Sequence, residues 1–220
     1  HGDIELACTI FRKHLKIRQL HGLNDIRARL KRQGFTDESL RHFDSIDCAY
    51  GEVINQHGTF LMNAGVSLSG NPINMWWMNS DSLISMVQPE QWEMMLEFAR
   101  EVMVRRQLQQ DFLSVEQDRL VQTVVIGNGY SQPMWRFFVP GLPRNRILTL
   151  MNLASQFPSM VSRIFWMDPS WVLKSFHSSF VALFPKAQQS KLLFLSENFQ
   201  SDLLHVLDTN TMSMLSQLRN

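Results

Sequence analysis

Cysteine, net charge and long apolar runs are all scarce in this chain, and each scarcity narrows what the protein can be. The 220 residues include two cysteines, Cys8 and Cys48, and no Asn-x-Ser/Thr glycosylation site. Small secreted domains usually depend on disulfides, so we expect a reducing, cytoplasmic setting. The 21 basic and 20 acidic side chains leave a net charge of +1. So small a charge provides no whole-chain attraction toward nucleic acid, and we expect no nucleic-acid partner.

Neither a membrane span nor a signal peptide is visible in the sequence. No apolar run approaches the ~18 residues that suggest a transmembrane helix, and no signal peptide precedes the first helical pattern. The chain starts at His1 with helical periodicity almost at once, so we expect a piece of a longer polypeptide. At 45% hydrophobic residues, a chain of this length can bury a sizeable core without disulfides or metals.

Large, adaptable apolar side chains are plentiful. Thirteen Met, fifteen Phe and six Trp are present, and Met adapts to irregular space and to varied apolar partners. This inventory fits either an ordinary core or a surface that receives an apolar ligand, and composition alone leaves both readings open.

The first segment predicts an amphipathic helix that ends near Gly22. Its apolar stripe follows helical spacing, and a stripe of this kind usually faces a core, so we expect Cys8 to be buried. The stripe comprises Ile4, Ala7, Cys8, Phe11 and Leu15. A basic stretch follows at Arg27, Arg29, Lys31 and Arg32. It is either a solvated helix face or a contact for anionic headgroups.

From about residue 50 the pattern changes to strands alternating with helices. Residues 57–63 and 73–78 predict a hairpin, and Pro89 is expected to open a long helix in which Glu101 and Arg105 form a surface pair. Further strands are predicted at 123–126, 163–167 and 191–195, with helices from Pro143, from 169 to about 184, and around Leu203. Continuous apolar strands between helices indicate a mostly parallel sheet covered by helices, an α/β fold. We predict a helical N-terminal region at 1–48 and an α/β domain at 49–220.

No motif for catalysis or metal binding is complete. The turn Gly127-Asn128-Gly129 follows a predicted strand, but Gln132 stands where a dinucleotide fingerprint needs glycine. The stretch at 65–69, GVSLS, lacks the final glycine of a nucleophile elbow. We therefore expect a protein that is not an enzyme and needs no metal or cofactor. An α/β enzyme whose site assembles only on folding remains open.

The last third of the chain resembles the CRAL-TRIO family of lipid-binding proteins. The family pattern is Tyr-Pro-Glu-Arg, a β-strand and Asn-Ala-Pro, and the matching stretch here is FPSMVSRIFWMDP at 157–169. The next pieces, an apolar helix, Phe-Pro-Lys and KLLFL at 191–195, follow in the family's order. Upstream, residues 2–18 are similar to the helix ending in Trp-Arg in the family's N-terminal lobe. GNPI at 70–73 is similar to the family's Gly-x-Pro-Val.

The resemblance implies a non-enzymatic protein that binds a hydrophobic lipid in an apolar pocket and transfers or presents it between membranes. In the family, the ligand lies between the sheet floor and a mobile gate helix. The implied floor residues are Met75, Trp77, Val124, Ile126, Phe165, Met167, Leu192 and Phe194. The implied gate residues are Trp171, Val172, Phe176, Phe180, Val181 and Phe184. The implied partners are a hydrophobic small molecule or phospholipid and, transiently, a membrane surface contacted through Lys174, Lys186 and Lys191.

Departures from the family pattern keep the ligand class open. Ser159 stands where phosphatidylinositol-binding members carry Glu, although Lys191 matches their basic residue near the headgroup, and Gly127 replaces a common Asp. The main alternative is a protein-interaction or regulatory module of a longer signalling polypeptide, with a collapsed pocket and partners bound through flanking regions. The same apolar residues also fit a plain hydrophobic core.

Overall fold

The structure is a computed structural model that covers most of the chain. It describes residues 4–34, 39, 41–57, 62–76, 80–128, 143–155, 161–167, 169, 174–175, 178, 181–182, 189–195 and 198–219.

Two helices form the N-terminal region. Helix α1 spans Ile4–Leu20 and α2 spans Leu23–Arg32. Gly22 joins them with φ of 61°, a left-handed conformation that suits glycine, and its N–H donates to Gln19 O (3.2 Å). The predicted helix end at Gly22 is thus confirmed. A 3₁₀ turn at Ser45–Asp47 and the short helix α3 at Gly51–Asn55 then lead into the sheet.

A five-stranded sheet follows in the order β1-β2-β3-β4-β5. The strands are β1 Met62–Val66, β2 Pro72–Trp76, β3 Thr123–Asn128, β4 Val161–Met167 and β5 Leu192–Phe194. The pair β1–β2 is antiparallel and the other three pairs are parallel. The mostly parallel α/β fold predicted from the sequence is confirmed. The first strand of the hairpin starts later than predicted, and a register irregularity lies between Asn63 and Val66, beside Gly65 with φ of 93°.

The remaining helices connect or follow the strands. Their bounds are α4 Ser80–Met86, α5 Trp92–Glu116, α6 Arg144–Ser155, α7 Phe199–Leu203 and α8 Thr209–Arg219. Helix α5 begins three residues after the predicted Pro89. Within the described residues, no helix is long and apolar enough to cross a bilayer.

The sheet has two differently covered faces, since successive side chains of a strand point to opposite sides. What we call the α5 face packs against α2, α5 and α6, and its sheet residues are Trp76, Val125, Val161, Ile164, Trp166, Leu192 and Phe194. What we call the α8 face packs against α7 and α8, and its sheet residues are Ala64, Ile73, Met75, Val124, Ile126, Phe165 and Met167.

The N-terminal region shares its core with the α/β region. Leu23 and Leu30 of α2 are fully buried in the same cluster as Ala99 and Met103 of α5. Hydrophobic contacts therefore run across residue 48, where we predicted a domain boundary, and the boundary itself stays a prediction.

Two predictions about side-chain exposure are wrong. Cys8 is exposed, because the apolar stripe of α1 does not face the core. Glu101 is buried and not on the surface, because its carboxylate forms ion pairs with Arg29 of α2 and with Arg105 of its own helix.

Candidate functional site

The side chains predicted for one ligand floor lie on both faces of the sheet. Five of them form part of the buried cluster on the α8 face: Met75, Val124, Ile126, Phe165 and Met167. Leu192 and Phe194 belong to the α5 face. The sheet itself separates the two groups, so a ligand on one face does not touch the other. Contact of either group with a ligand stays a prediction.

Most of the predicted gate lies outside the described residues, as does one floor residue. These are Trp171, Val172, Phe176, Phe180, Phe184 and Trp77. Val181 is the gate residue for which the structure describes a contact, and it packs, half-buried, against the cluster of the α5 face. Val181 is therefore on the α5 side of the sheet.

Two tryptophans meet at the carboxyl ends of the strands on the α5 face. The rings of Trp76 and Trp166 are 5.7 Å apart and nearly perpendicular, at 84°, an edge-to-face geometry that aromatic pairs favour. Gly127 lies between them in the sheet register. A Cβ at Gly127 would stand 3.2 Å from Trp166 Cε3. Glycine at this position, where the family often has Asp, leaves room for the ring pair.

Part of the α5 face stays accessible. Ile164, Trp166 and Leu192 are buried, whereas Trp76 and Phe194 are only half-buried, as are Val125, Leu150 and Val181. Trp76 and Phe194 end β2 and β5 at the carboxyl edge. Ligands of open parallel sheets bind at this edge. The half-buried apolar side chains of the α5 face are therefore the best-formed candidate wall for an apolar ligand among the described residues.

Lys191 lies at the opposite edge of the sheet. Its Nζ donates to Val161 O at the start of β4, so it marks the amino-terminal edge. Partial burial lowers the pKa of the Lys191 ammonium. Ser159, which departs from the Glu of phosphatidylinositol-binding CRAL-TRIO members, is outside the described residues.

The basic stretch of α2 is largely paired with α5. Arg29 contacts Glu97 (3.2 Å) and Glu101 (2.7 Å), and Arg27 contacts Asp111 (3.4 Å). A cleft of about 330 Å³ lies beside these groups, lined by Arg29, Gln33, Asp47, Cys48, Ala49, Glu101 and Arg105. Because its arginines and acids neutralise one another, this cleft offers little attraction for an anionic headgroup.

The sequence missed Trp76 and Val125 of the candidate wall, and the buried Trp166 on the same face. Each is adjacent to a residue that we did predict, and in an apolar strand the two neighbours look equivalent. The pairing register separates them, since Trp166 pairs with Phe194 and Ile164 with Leu192.

The described residues contain no group of three or more His, Cys, Asp or Glu side chains that could hold a metal ion. No protein-family model and no curated protein matches the chain. Among solved structures, the chain is similar to the crystal structure of Sfh5, with 12% sequence identity and a TM-score of 0.49. That match covers 77% of this chain and 58% of the Sfh5 chain. The fold assignment accordingly stands on the strand order and register described above.

Proposed function

We propose that this protein binds a hydrophobic lipid on the α5 face of its sheet and transfers or presents it between membranes without catalysing a reaction. The observation that carries this proposal is the position of Val181. Val181 packs against the cluster of the α5 face, and this contact supports a lid on the same side of the sheet as the half-buried wall.

The described wall suits a lipid chain. Trp76, Val125, Leu150 and Phe194 present apolar surface that their neighbours only partly cover. Each methylene that moves from water into such a site contributes about 0.8 kcal/mol. Binding then needs apolar walls, few orienting polar groups and a lid that opens. The resemblance of residues 157–169 and 191–195 to CRAL-TRIO motifs supports the same function.

Native mass spectrometry of the purified protein, followed by organic extraction, tests lipid binding directly. We expect one bound lipid, whose identity also names the ligand class. A transfer assay between donor and acceptor vesicles tests the second half of the proposal. A ligand-free mass that does not change after incubation with mixed vesicles would instead favour the interaction module.

A matched pair of variants tests the location. Val181→Trp adds bulk between the gate segment and the wall, whereas Val115→Trp adds the same bulk at a position that is 85% exposed on α5. We expect V181W to lower lipid occupancy at least several-fold and V115W to leave it unchanged. Equal occupancy in both variants would contradict a site beneath Val181.

A further inference from the structure

Helix α1 packs against the rest of the molecule near its C-terminus. Arg18, near its C-terminus, is buried and donates from Nε to Asn24 Oδ1 (2.9 Å) and from Nη1 to Gln107. His14 and Ile17 are half-buried, and all other classified α1 side chains are exposed. The helix is therefore anchored at Arg18 and presents its remaining surface outward.

That outward surface carries a large apolar stripe. Ile4, Phe11 and Leu15 are 77%, 60% and 47% exposed, and their spacing of seven and four residues places them on one side of the helix. Cys8 lies on the same side and is exposed. Exposed apolar surface of this kind marks a site of protein or membrane contact.

Positive charge borders one side of the stripe, where Arg12 and Lys16 lie, whereas Lys13 lies on the opposite side of the helix. Arg12, Lys13 and Lys16 are exposed, and within the described part of the chain no acidic side chain forms an ion pair with them. Helix α2 shows the contrast, since its Arg27 and Arg29 pair with acids of α5. Glu5 is the acidic residue that the described span of α1 contains.

We propose that α1 is a docking helix that lies on anionic membrane surfaces. A helix with an apolar stripe and basic flanks fits the interface of a bilayer, where the stripe enters the acyl boundary and the cations meet anionic headgroups. Both chemical features are present on α1, and the charge favours a negatively charged surface over a neutral one. This docking does not depend on where, or whether, a lipid binds on the α5 face.

Cys8 provides a direct probe of docking. It is exposed, whereas Cys48 is buried and burial raises the pKa of its thiol, so a thiol-reactive environment-sensitive dye labels Cys8 selectively. With phosphatidylcholine vesicles that contain phosphatidylserine, we expect a blue shift and quenching by lipids that carry a quencher in the acyl region. Pure phosphatidylcholine vesicles should give a much weaker response, and added salt should reduce the anionic response.

Charge and apolar variants separate α1 from other surfaces. Arg12→Gln with Lys16→Gln should weaken partitioning onto phosphatidylserine vesicles about 30-fold, which corresponds to about 1 kcal/mol for each of the two cations. Phe11→Asp should also weaken it, whereas Leu120→Asp, at a position that is 67% exposed elsewhere, should not. Lys174→Glu tests the rival surface at the gate segment and should change partitioning much less.

Several results would overturn the proposal. They are an unshifted Cys8 dye with anionic vesicles, equal response to neutral vesicles, and a K174E effect larger than that of the pair of substitutions at Arg12 and Lys16. A dye shift that rises with protein concentration without vesicles, together with dimers in sedimentation, would assign the stripe to a second copy of the chain. Circular dichroism of each variant verifies folding, and the separate lipid-occupancy measurement keeps failure of docking distinct from failure of lipid binding.

Discussion

The two faces of the sheet differ in how completely they are covered. On the α8 face, Ile73, Met75 and Ile126 have no exposed surface. On the α5 face, Trp76 and Phe194 keep part of their side chains accessible. The α8 face is fully covered in its centre, whereas the α5 face retains accessible apolar surface at the edge where parallel sheets bind ligands. The lipid site that we propose is therefore on the face opposite the fully covered core.

The coverage of the α8 face is local in sequence, while that of the α5 face is not. Leu203, Leu207 and Leu215 follow β5 directly and complete the α8 cluster. The α5 face is covered by α2, which precedes β1, by α5, which lies between β2 and β3, and by α6, which lies between β3 and β4. Gln110 Nε2 donates to Thr123 Oγ1 (2.8 Å), which holds the C-terminal half of α5 at the start of β3. The carboxyl edge of this face carries the half-buried aromatic side chains of Trp76 and Phe194.

The largest effect should come from Ile126, which we compare with its neighbour Val125 on β3 because their side chains point to opposite faces of the sheet. Ile126→Ala leaves a cavity in the closed α8 face and should lower the free energy of unfolding by roughly 3–4 kcal/mol. Val125→Ala, on the half-buried α5 face, should cost about 1 kcal/mol or less. Denaturant unfolding measures both. Equal costs would show that the faces are equally packed.

The next effect should come from the ionic contact that joins α2 to α5. Glu101 is 3% exposed and accepts from Arg29 and Arg105. Glu101→Gln removes the charge that both guanidiniums face, and we expect a loss of about 2–3 kcal/mol in unfolding free energy. Glu97→Gln, at a half-exposed position that also contacts Arg29, is the control and should cost less than about 1 kcal/mol. Similar losses would contradict the buried role of Glu101.

Adding one methyl group tests the aromatic edge of the α5 face. Gly127→Ala places a Cβ against Trp166 and should displace that ring, with a loss of about 1–2 kcal/mol in unfolding free energy. Near-ultraviolet circular dichroism should report the change in the Trp76–Trp166 pair. In a Trp166→Phe background the cost should fall, and an undiminished cost there would show that the strain lies elsewhere.

The smallest effect concerns the N-terminal cap of α8, the helix that helps to cover the α8 face. Thr211 N–H donates to Asp208 Oδ1 (2.7 Å), and this hydrogen bond lowers the pKa of the Asp208 carboxyl. Asp208→Ala should cost about 0.5–1 kcal/mol of unfolding free energy near neutral pH, whereas Asp208→Asn should keep most of the cap.

The pH dependence follows from the direction of that pKa shift. Because the folded pKa is lowered, the charged cap stabilises above the unfolded pKa of about 4, and this contribution is lost as pH falls through the folded pKa. The stability difference between the native chain and the Ala variant should therefore narrow in acid. A difference that stays constant down to strongly acidic pH would contradict a charged cap.

Most elements of the fold were predictable because each has a local signal. The strands at Thr123–Asn128 and Val161–Met167 are short apolar runs, and Gly22 supplies the left-handed turn after α1. Errors arose where a distant segment decides exposure. Cys8 has the spacing of a buried stripe but no packing partner among the described residues, and Glu101 has the spacing of a surface pair but receives Arg29 from α2.

The candidate site was only half predictable. Phe194 and Leu192 are apolar strand residues that point to the same face as Trp166, yet Phe165 has an equally apolar pattern and faces the other way. When all residues of a strand are apolar, its sequence does not show which side chains point to which face of the sheet. The choice between neighbours needed the register.

The sequence by itself determined the α/β class, the approximate positions of the strands and the apolar character of their faces, because hydrophobic periodicity and turn residues act locally. Only the tertiary structure decided which face is closed by α7 and α8, which face meets Val181, and that the stripe of α1 points outward. These outcomes depend on contacts between segments far apart in the chain, and such contacts are set by packing geometry rather than by any local pattern.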